Sequence, residues 1–238
     1  MAHIRLFLDE PLSEGQIVPL SRDQSHYLFG VMRLGVGAEL RVFDGESGER
    51  AAVVEETGKR AGSLRIGTQT APHLPPADLW LLFAPLKKAR TDFIVEKAVE
   101  LGAARLQPVL TRFTNAERVR VDRLQAHAVE AAEQCGATAV PVVAAPAKLS
   151  ALLAGWDPTR HLIFCDEGAA GQVLTWPEVR APGAVLIGPE GGFSDDERKA
   201  LTGLPCGHPV ALGPRILRAE TAAVAALTLW QTRIGDWG

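Results

Sequence analysis

The pattern of hydrophobic and polar positions changes near residue 74. Before it, short apolar runs at 40–43, 51–54 and 63–70 are typical of strands, and the segment DGESGE between the first two predicts a hairpin. One helix-like stretch, 23–33, interrupts these runs. The pattern therefore predicts a small, mostly-β domain, which we interpret as a compact barrel.

Beyond the connector APHLPPA at 71–77, apolar runs begin at residues 79, 106, 161, 184 and 209 and alternate with helical patterns. Residues 91–101 place apolar side chains on one face, and Gly102 follows. Asp122 and Gln125 have the spacing of a capping box before a helix that ends at Gly136. This alternation predicts an α/β domain with a parallel sheet. We therefore divide the chain into 1–72 and 73–238.

The composition is that of a globular protein, with 47% hydrophobic and 22% charged residues. No apolar run approaches the roughly 20 residues of a membrane helix, and the N-terminal segment does not resemble a signal peptide. Three scattered cysteines and no H-x-x-x-H motif argue against a disulfide framework or a metal site. These features predict a soluble, reduced, cytoplasmic protein with no membrane partner.

The net charge is −3, yet nine of the basic residues lie between positions 87 and 123, against five acidic ones. Such a cluster is typical of a surface that binds a polyanion. Ion pairs along an exposed helix also explain it. Charge alone favours the second interpretation.

The segment AVLIGPEGGFSDDE, residues 184–197, predicts a strand, a tight glycine loop and a helix whose capping box is formed by Ser194 and Glu197. This geometry lets a nucleotide approach the backbone closely. Neither phosphate-binding glycine spacing is present, and three acidic residues would repel a polyphosphate: Glu190, Asp195 and Asp196. A neutral or cationic nucleoside such as S-adenosylmethionine suits the loop better, and a nicotinamide cofactor is disfavoured.

A second strand, loop and helix follow at 210–234, where Gly213-Pro214 precedes RILRAET and an alanine-rich helix. Each glycine loop alone is typical of an ordinary strand-to-helix turn. Two such loops bearing charged residues at one sheet edge instead favour a binding site.

Taken together, LIGPEGGFSDDE and LGPRILRAETAA resemble the RsmE family of ribosomal RNA small-subunit methyltransferases, within the SPOUT superfamily. Supporting segments are HYL with VMR at 26–33, Lys87 and Arg90 before FIVEKAVELGA, EAAEQCG at 130–136, and the terminal GDWG. The resemblance covers nearly the whole chain. It implies a PUA-like barrel, an α/β domain ending in a trefoil knot, a homodimer, and methylation of N3 of one uridine in 16S rRNA of the small ribosomal subunit, with no DNA partner.

The resemblance places S-adenosylmethionine in the two loops. The implied cofactor-binding residues are Leu186, Ile187, Gly188, Pro189, Glu190, Gly191, Leu212, Gly213, Ile216, Leu217 and Thr221. At Gly188, Gly191 and Gly213 we expect a side chain to collide with the cofactor.

Removal of the N3 proton from uracil places negative charge on its oxygens, and a guanidinium can stabilise this charge. Arg218 is the first candidate, followed by Arg215 or by Arg90 from a partner subunit, although Arg218 could instead pair with Glu190 or Glu220. Glu220 is a candidate base, and we favour a role in orienting Arg218.

RNA phosphates require cations. The candidate RNA-binding residues are Arg5, Arg22, His26 and Arg33 in the barrel, and Lys87, Lys88 and Arg90 after the first strand of the second domain. One departure from the family pattern is Ala137, where related sequences carry arginine. Methylation at a ribose 2′-oxygen or another base, and RNA binding without catalysis, remain alternative functions.

Overall fold

The computed structural model describes residues 4–58, 61–115, 118–166, 168 and 176–237. The chain divides into two compact units. One is Met1–Pro75 with Ala132–Ala139, and the other is Pro76–Ala131 with Val140–Gly238. Inclusion of Ala132–Ala139 in the first unit was not anticipated from the sequence, and the division into 1–72 and 73–238 stays a prediction.

The first unit is built on one curled five-stranded sheet. Its strands are β1 (Arg5–Phe7), β2 (Ile17–Pro19), β3 (Glu39–Phe43), β4 (Glu49–Glu56) and β5 (Ser63–Ala71). They are ordered β1-β3-β4-β5-β2, and only the β1–β3 pair is parallel. Alternate side chains such as Leu40, Val42 and Val54 enter the core. The predicted hairpin is confirmed as β3–β4.

The helix-like stretch contains two kinds of helix. A capping box between Ser21 and Gln24 opens α1 (Arg22–Ser25), and a π-helical segment, His26–Val31, continues it. Leu28 is fully buried, whereas Val31 is 59% exposed. Arg33 ends the segment with a φ of 56°. The apolar periodicity identified a helix here, but it could not distinguish π from α geometry.

Arg5 connects β1 to residues that come much later in the chain. Its guanidinium donates to the backbone oxygens of Ala132, Glu133 and Ala137 at 2.6–3.1 Å and to Glu49 Oε2 at 2.7 Å. The side chain is only 11% exposed. These contacts indicate a structural role, and RNA binding by Arg5 stays a prediction.

We expect Arg5→Ala to lower the free energy of unfolding by about 3 kcal/mol, because Glu49 and three carbonyl oxygens lose their donor. Urea denaturation of the full chain measures this change. The matched control is Arg65→Ala on the same sheet, whose ion pair with Glu55 is exposed, and it should leave the unfolding curve nearly unchanged. Equal curves for the two variants would contradict the structural role.

The second unit is an α/β layer structure around a seven-stranded sheet. Its strands are β6 (Leu79–Phe83), β7 (Arg105–Leu110), β8 (Val142–Val143), β9 (Ala147–Lys148), β10 (His161–Cys165), β11 (Gly183–Ile187) and β12 (Gly207–Val210). Its helices are α2 (Lys88–Glu100), α3 (Val121–Cys135), α4 (Leu149–Ala154), α5 (Asp195–Thr202) and α6 (Ala219–Arg233). The strand order is β12-β10-β11-β6-β7-β8, β9 pairs with β7, and every pairing is parallel. The predicted α/β fold class is confirmed.

Two details differ from the prediction. The capping box at Asp122 and Gln125 is wrong, because Asp122 lies inside α3 and the Gln125 amide contacts the backbone of Pro141 and Val143 at 3.1 and 2.9 Å. The short elements β8, β9 and α4 were not predicted, since two to six residues carry too little periodicity.

The register of the parallel strands brings three strand ends together. Cys165, the last residue of β10, pairs with Ile187 at the end of β11 and with Val210 at the end of β12. The loops that follow these strands must therefore begin side by side. No described helix is long and apolar enough to cross a membrane.

Candidate active site

A cavity of about 220 Å³ lies at the carboxyl edge of the sheet, where β10, β11 and β12 end. Its lining residues are Cys165, Asp166, Ile187, Gly188, Pro189, Glu190, Gly192, Val210, Leu212, Gly213, Arg215, Ile216, Leu217, Arg218, Ala219 and Ala222. Both predicted glycine loops therefore form walls of one cavity. Arg215, Ile216 and Arg218 are exposed, which places them at its mouth.

Local sequence determines the shape of the first loop. Gly192 has a φ of 66°, and the predicted capping box between Ser194 and Glu197 is confirmed at the start of α5. Phe193 is buried with its ring edge-on to Phe164. This ring lies 3.1 Å from the position that a Cβ on Gly188 would occupy. A side chain at position 188 would therefore require the Phe193 ring to shift by a few tenths of an ångström.

Gly191 and Gly213 differ from Gly188 in what an added side chain would contact. A Cβ on Gly191 would lie 3.1 Å from Cβ of Phe113. Gly213 has a φ of 100°, and no atom of a described residue lies within 4 Å of the position that a Cβ would occupy there. Backbone conformation alone therefore requires glycine at position 213.

Most of the predicted cofactor-binding residues line the cavity. Three do not: Leu186 is fully buried within β11, and Gly191 and Thr221 are exposed outside the lining. The sequence analysis missed Cys165 and Asp166, which lie at the end of strand β10 and directly after it. Because the apolar run of β10 ends at these residues, the predicted end of this strand could have identified them. Burial raises the pKa of the Cys165 thiol to about 12, and the group is therefore a neutral part of the wall.

The carboxylates around the cavity are engaged by arginines of the same unit. Asp166 binds Arg198 at 3.0 Å, and Glu190 binds Arg90 at 2.9 Å. Arg90 also lies 3.6 Å from Glu220, whose other carboxylate oxygen is buried and has no hydrogen-bond partner among the described residues. The expected pairing of Glu220 with Arg218 is not formed, since Arg218 makes no ion pair with any residue that the structure describes. Glu220 instead lies beside Arg90.

We expect Arg90→Gln to lower the free energy of unfolding by about 1–2 kcal/mol, because the partly buried Glu220 carboxylate loses its counter-charge. Denaturant unfolding measures the loss. Glu220→Gln in the Arg90→Gln background should recover part of it, since a neutral amide needs no counter-charge. Strict additivity of the two substitutions would contradict this coupling.

The predicted RNA-binding cations occupy both units. In the first unit Arg22, His26 and Arg33 are exposed. The His26 ring lies 2.9 Å from the position of a Cβ on Gly30, so it covers that glycine. In the second unit Lys87 and Lys88 are exposed just before and at the start of α2. Among the described residues, no group of three or more His, Cys, Asp or Glu side chains is arranged to hold a metal ion.

Comparison with known proteins identifies the family. An RNA methyltransferase domain matches residues 73–231, and an RNA methyltransferase PUA domain matches residues 20–67. The chain is 31% identical to ribosomal RNA small subunit methyltransferase E of Synechocystis sp., over 95% of this chain and 76% of that protein.

Two solved structures agree over almost their whole length. A methyltransferase of Legionella pneumophila in complex with bound S-adenosylmethionine has a TM-score of 0.91 and 29% identity, covering 99% of this chain and 100% of its own. Ribosomal RNA small subunit methyltransferase E of Neisseria gonorrhoeae, bound to S-adenosylmethionine, has a TM-score of 0.88 and 28% identity, with full coverage of both chains. The resemblance inferred from the two glycine loops is confirmed: the chain belongs to the ribosomal RNA small subunit methyltransferase E family.

Proposed function

We propose that this protein transfers a methyl group from S-adenosylmethionine to N3 of a specific uridine in 16S rRNA. The observation that carries the proposal is the joint lining of one cavity by the two glycine loops, in a chain of this methyltransferase family. Two relatives of similar fold are described with S-adenosylmethionine bound.

The cavity suits a nucleoside. Ile187, Val210 and Leu217 supply apolar wall. Because arginines already pair with the carboxylates of Asp166 and Glu190, the apolar wall carries the fit, and it favours a ligand with an apolar body over a polyphosphate. When bound, the cofactor supplies an electrophilic methyl group on sulfur. Backbone groups of the two loops would hold the ligand, and Cys165 would form part of the wall around it.

Arg218 stabilises the acceptor. Uracil N3 becomes nucleophilic only after its proton leaves, and the resulting charge lies on N3 and the two carbonyl oxygens, O2 and O4. The exposed Arg218 guanidinium stands at the cavity mouth without an ion pair among the described residues. It is therefore available to donate hydrogen bonds to these oxygens, and Arg215 is the second candidate.

Glu220 acts through Arg90. Because Glu220 lies in the first turn of α6, 3.6 Å from the Arg90 guanidinium, it holds that arginine beside Glu190. Arg90 is thereby a positioning residue for the first glycine loop. The loop conformation in turn sets the distance between cofactor and acceptor, on which methyl transfer depends.

The proposed substrate implies a cellular setting. Ribosomal RNA lies in the cytoplasm of bacteria, and we place the protein there. We also propose that it acts as a homodimer, as the family resemblance implies. Sedimentation equilibrium measures the oligomeric state directly.

Mass spectrometry of digested RNA tests the reaction. An unmodified 16S rRNA transcript, free or assembled into small-subunit particles, is incubated with the protein and S-adenosylmethionine. We expect one N3-methyluridine per RNA. A product that resists alkaline cleavage at the modified site would identify 2′-O-methylation instead, and RNA binding with no methyl incorporation would identify a binding module.

A further inference from the structure

A second cavity, of about 840 Å³, lies beside the first in the same unit. Its rim carries five cations, which define what we call the basic groove: Lys87, Lys88, Arg118, Arg120 and Arg123. The last three were not assigned any role from the sequence. Pro85, Leu86 and Leu124 form a buried apolar floor beneath the rim.

The walls of the groove are held by internal bonds. The buried Thr91 hydroxyl accepts from the backbone N–H of Leu86 at 2.9 Å and donates to its carbonyl at 3.0 Å. This closes the turn that carries Lys87. Across the groove, Arg123 binds Asp92 at 2.6 Å and joins α3 to α2. These bonds hold the backbone that carries Lys87 and the start of α3 in place without a ligand.

The rim carries positive charges that no ion pair with a described residue balances. Arg123 is paired with Asp92, and Arg120 is paired with Asp122 at the surface. Lys87, Lys88 and Arg118 are exposed, and none of them makes an ion pair with a residue in the described part of the chain. Three such cations on a preformed concave surface are suited to several phosphates at once.

The groove leads to the candidate active site. Glu190 lines both cavities, and Arg90 neutralises its charge from within the protein. The two cavities adjoin at Glu190. A polyanion in the groove therefore approaches a carboxylate whose charge Arg90 already balances. A strand held along the groove would have its next nucleotide at the mouth of the cofactor cavity.

We propose that the basic groove binds the phosphodiester backbone of single-stranded RNA next to the methylated nucleotide. This assignment rests on the proposed function for the identity of the RNA. The groove lacks the glycine loops that bind a nucleoside polyphosphate. Its cations without an ion pair to a described residue lie on two segments, Lys87 with Lys88 on one and Arg118 on the other, so they can contact successive phosphates of one chain. A base unstacked from its neighbours can then enter the cofactor cavity while the adjoining phosphates stay in the groove.

Salt-dependent binding tests the groove. The variants are Lys87→Gln, Lys88→Gln, Arg118→Gln and the triple substitution. The probe is unmodified 16S rRNA transcript, free and assembled into small-subunit particles, with Kd measured across a range of KCl concentrations. We expect each single variant to bind about 5-fold more weakly and to lower the slope of log Kd against log salt by roughly 0.7, and the triple variant to bind about 100-fold more weakly.

Two controls accompany these variants. Lys199→Gln and Arg233→Gln remove exposed cations elsewhere in the same unit, and both should retain the RNA affinity and salt slope of the unsubstituted protein. Affinity for S-adenosylmethionine should be unchanged in every groove variant, which verifies that the cofactor cavity is intact.

The result that would overturn the groove assignment is an unchanged Kd and slope for the triple variant, or no RNA binding by the unsubstituted protein. Competition by polyglutamate as strong as that by RNA would also overturn it, because the groove would then accept any polyanion. The two proposals fail separately. Groove-dependent RNA binding without methyl incorporation contradicts the proposed function alone, whereas methylation that is independent of the groove contradicts this inference alone.

Discussion

Replacing Gly213 by valine should weaken S-adenosylmethionine binding about 100-fold, which corresponds to roughly 2.7 kcal/mol. The backbone of Gly213 has a φ of 100°, a conformation that a β-branched residue adopts only with strain. The loop can relieve this strain by changing its backbone conformation. Such a change displaces one wall of the cavity and removes backbone contacts from the cofactor. Titration calorimetry with S-adenosylmethionine measures the loss.

Gly15→Val is the matched control for this prediction. Gly15 also has a positive φ, 82°, and no atom in the described part of the chain lies within 4 Å of an added Cβ. It belongs to the first unit, so its strain should lower thermal stability without altering cofactor affinity. Equal cofactor affinities in Gly213→Val and Gly15→Val would show that the second glycine loop is not part of the cofactor site.

The second large effect is expected for Arg218→Ala, which should lower kcat by about 10²- to 10³-fold while the Kd for S-adenosylmethionine changes less than a few-fold. The reason is that the guanidinium acts on charge that develops on uracil, not on the cofactor. Since Arg218 makes no ion pair with a described residue, its removal leaves no described carboxylate without a partner. Single-turnover methylation of 16S rRNA at saturating RNA measures the rate.

Arg233→Ala provides the comparison within the same helix. Arg233 is exposed in the last turn of α6, whereas Arg218 directly precedes the first turn. The control should retain the full rate. Arg218→Lys should recover only part of the activity, because an ammonium lacks the planar pair of donors. A kcat for Arg218→Ala within a few-fold of the unsubstituted protein would assign the charge-stabilising role to another residue.

Periodicity and glycine placement were sufficient to predict most of the fold. Apolar runs identified β6, β7, β10 and β11, since buried parallel strands are mostly hydrophobic. The edge strand β12 is only partly buried, and the apolar run from Pro209 overlaps only its last two residues. The hairpin of β3 and β4 followed from its polar turn. Local sequence also predicted the capping box at Ser194 and Glu197, because both partners lie within one turn.

Interactions between residues that lie far apart in the sequence were harder to predict from it. Nothing in the local pattern indicates that Arg5 binds the carbonyl of Ala137, or that Arg90 rather than Arg218 pairs with Glu220. Cys165 and Asp166 enter the cavity only because the register of β10 aligns their strand end with Ile187 and Val210. Such partners depend on strand order, which the sequence pattern leaves open.

The central claim is that the two glycine loops together bind S-adenosylmethionine. Hydrogen–deuterium exchange with and without the cofactor tests it most directly, since it reports on each segment of the chain. We expect slower exchange on cofactor addition in both 187–192 and 212–218. Protection confined to one of these segments, or appearing only elsewhere in the chain, would contradict the claim.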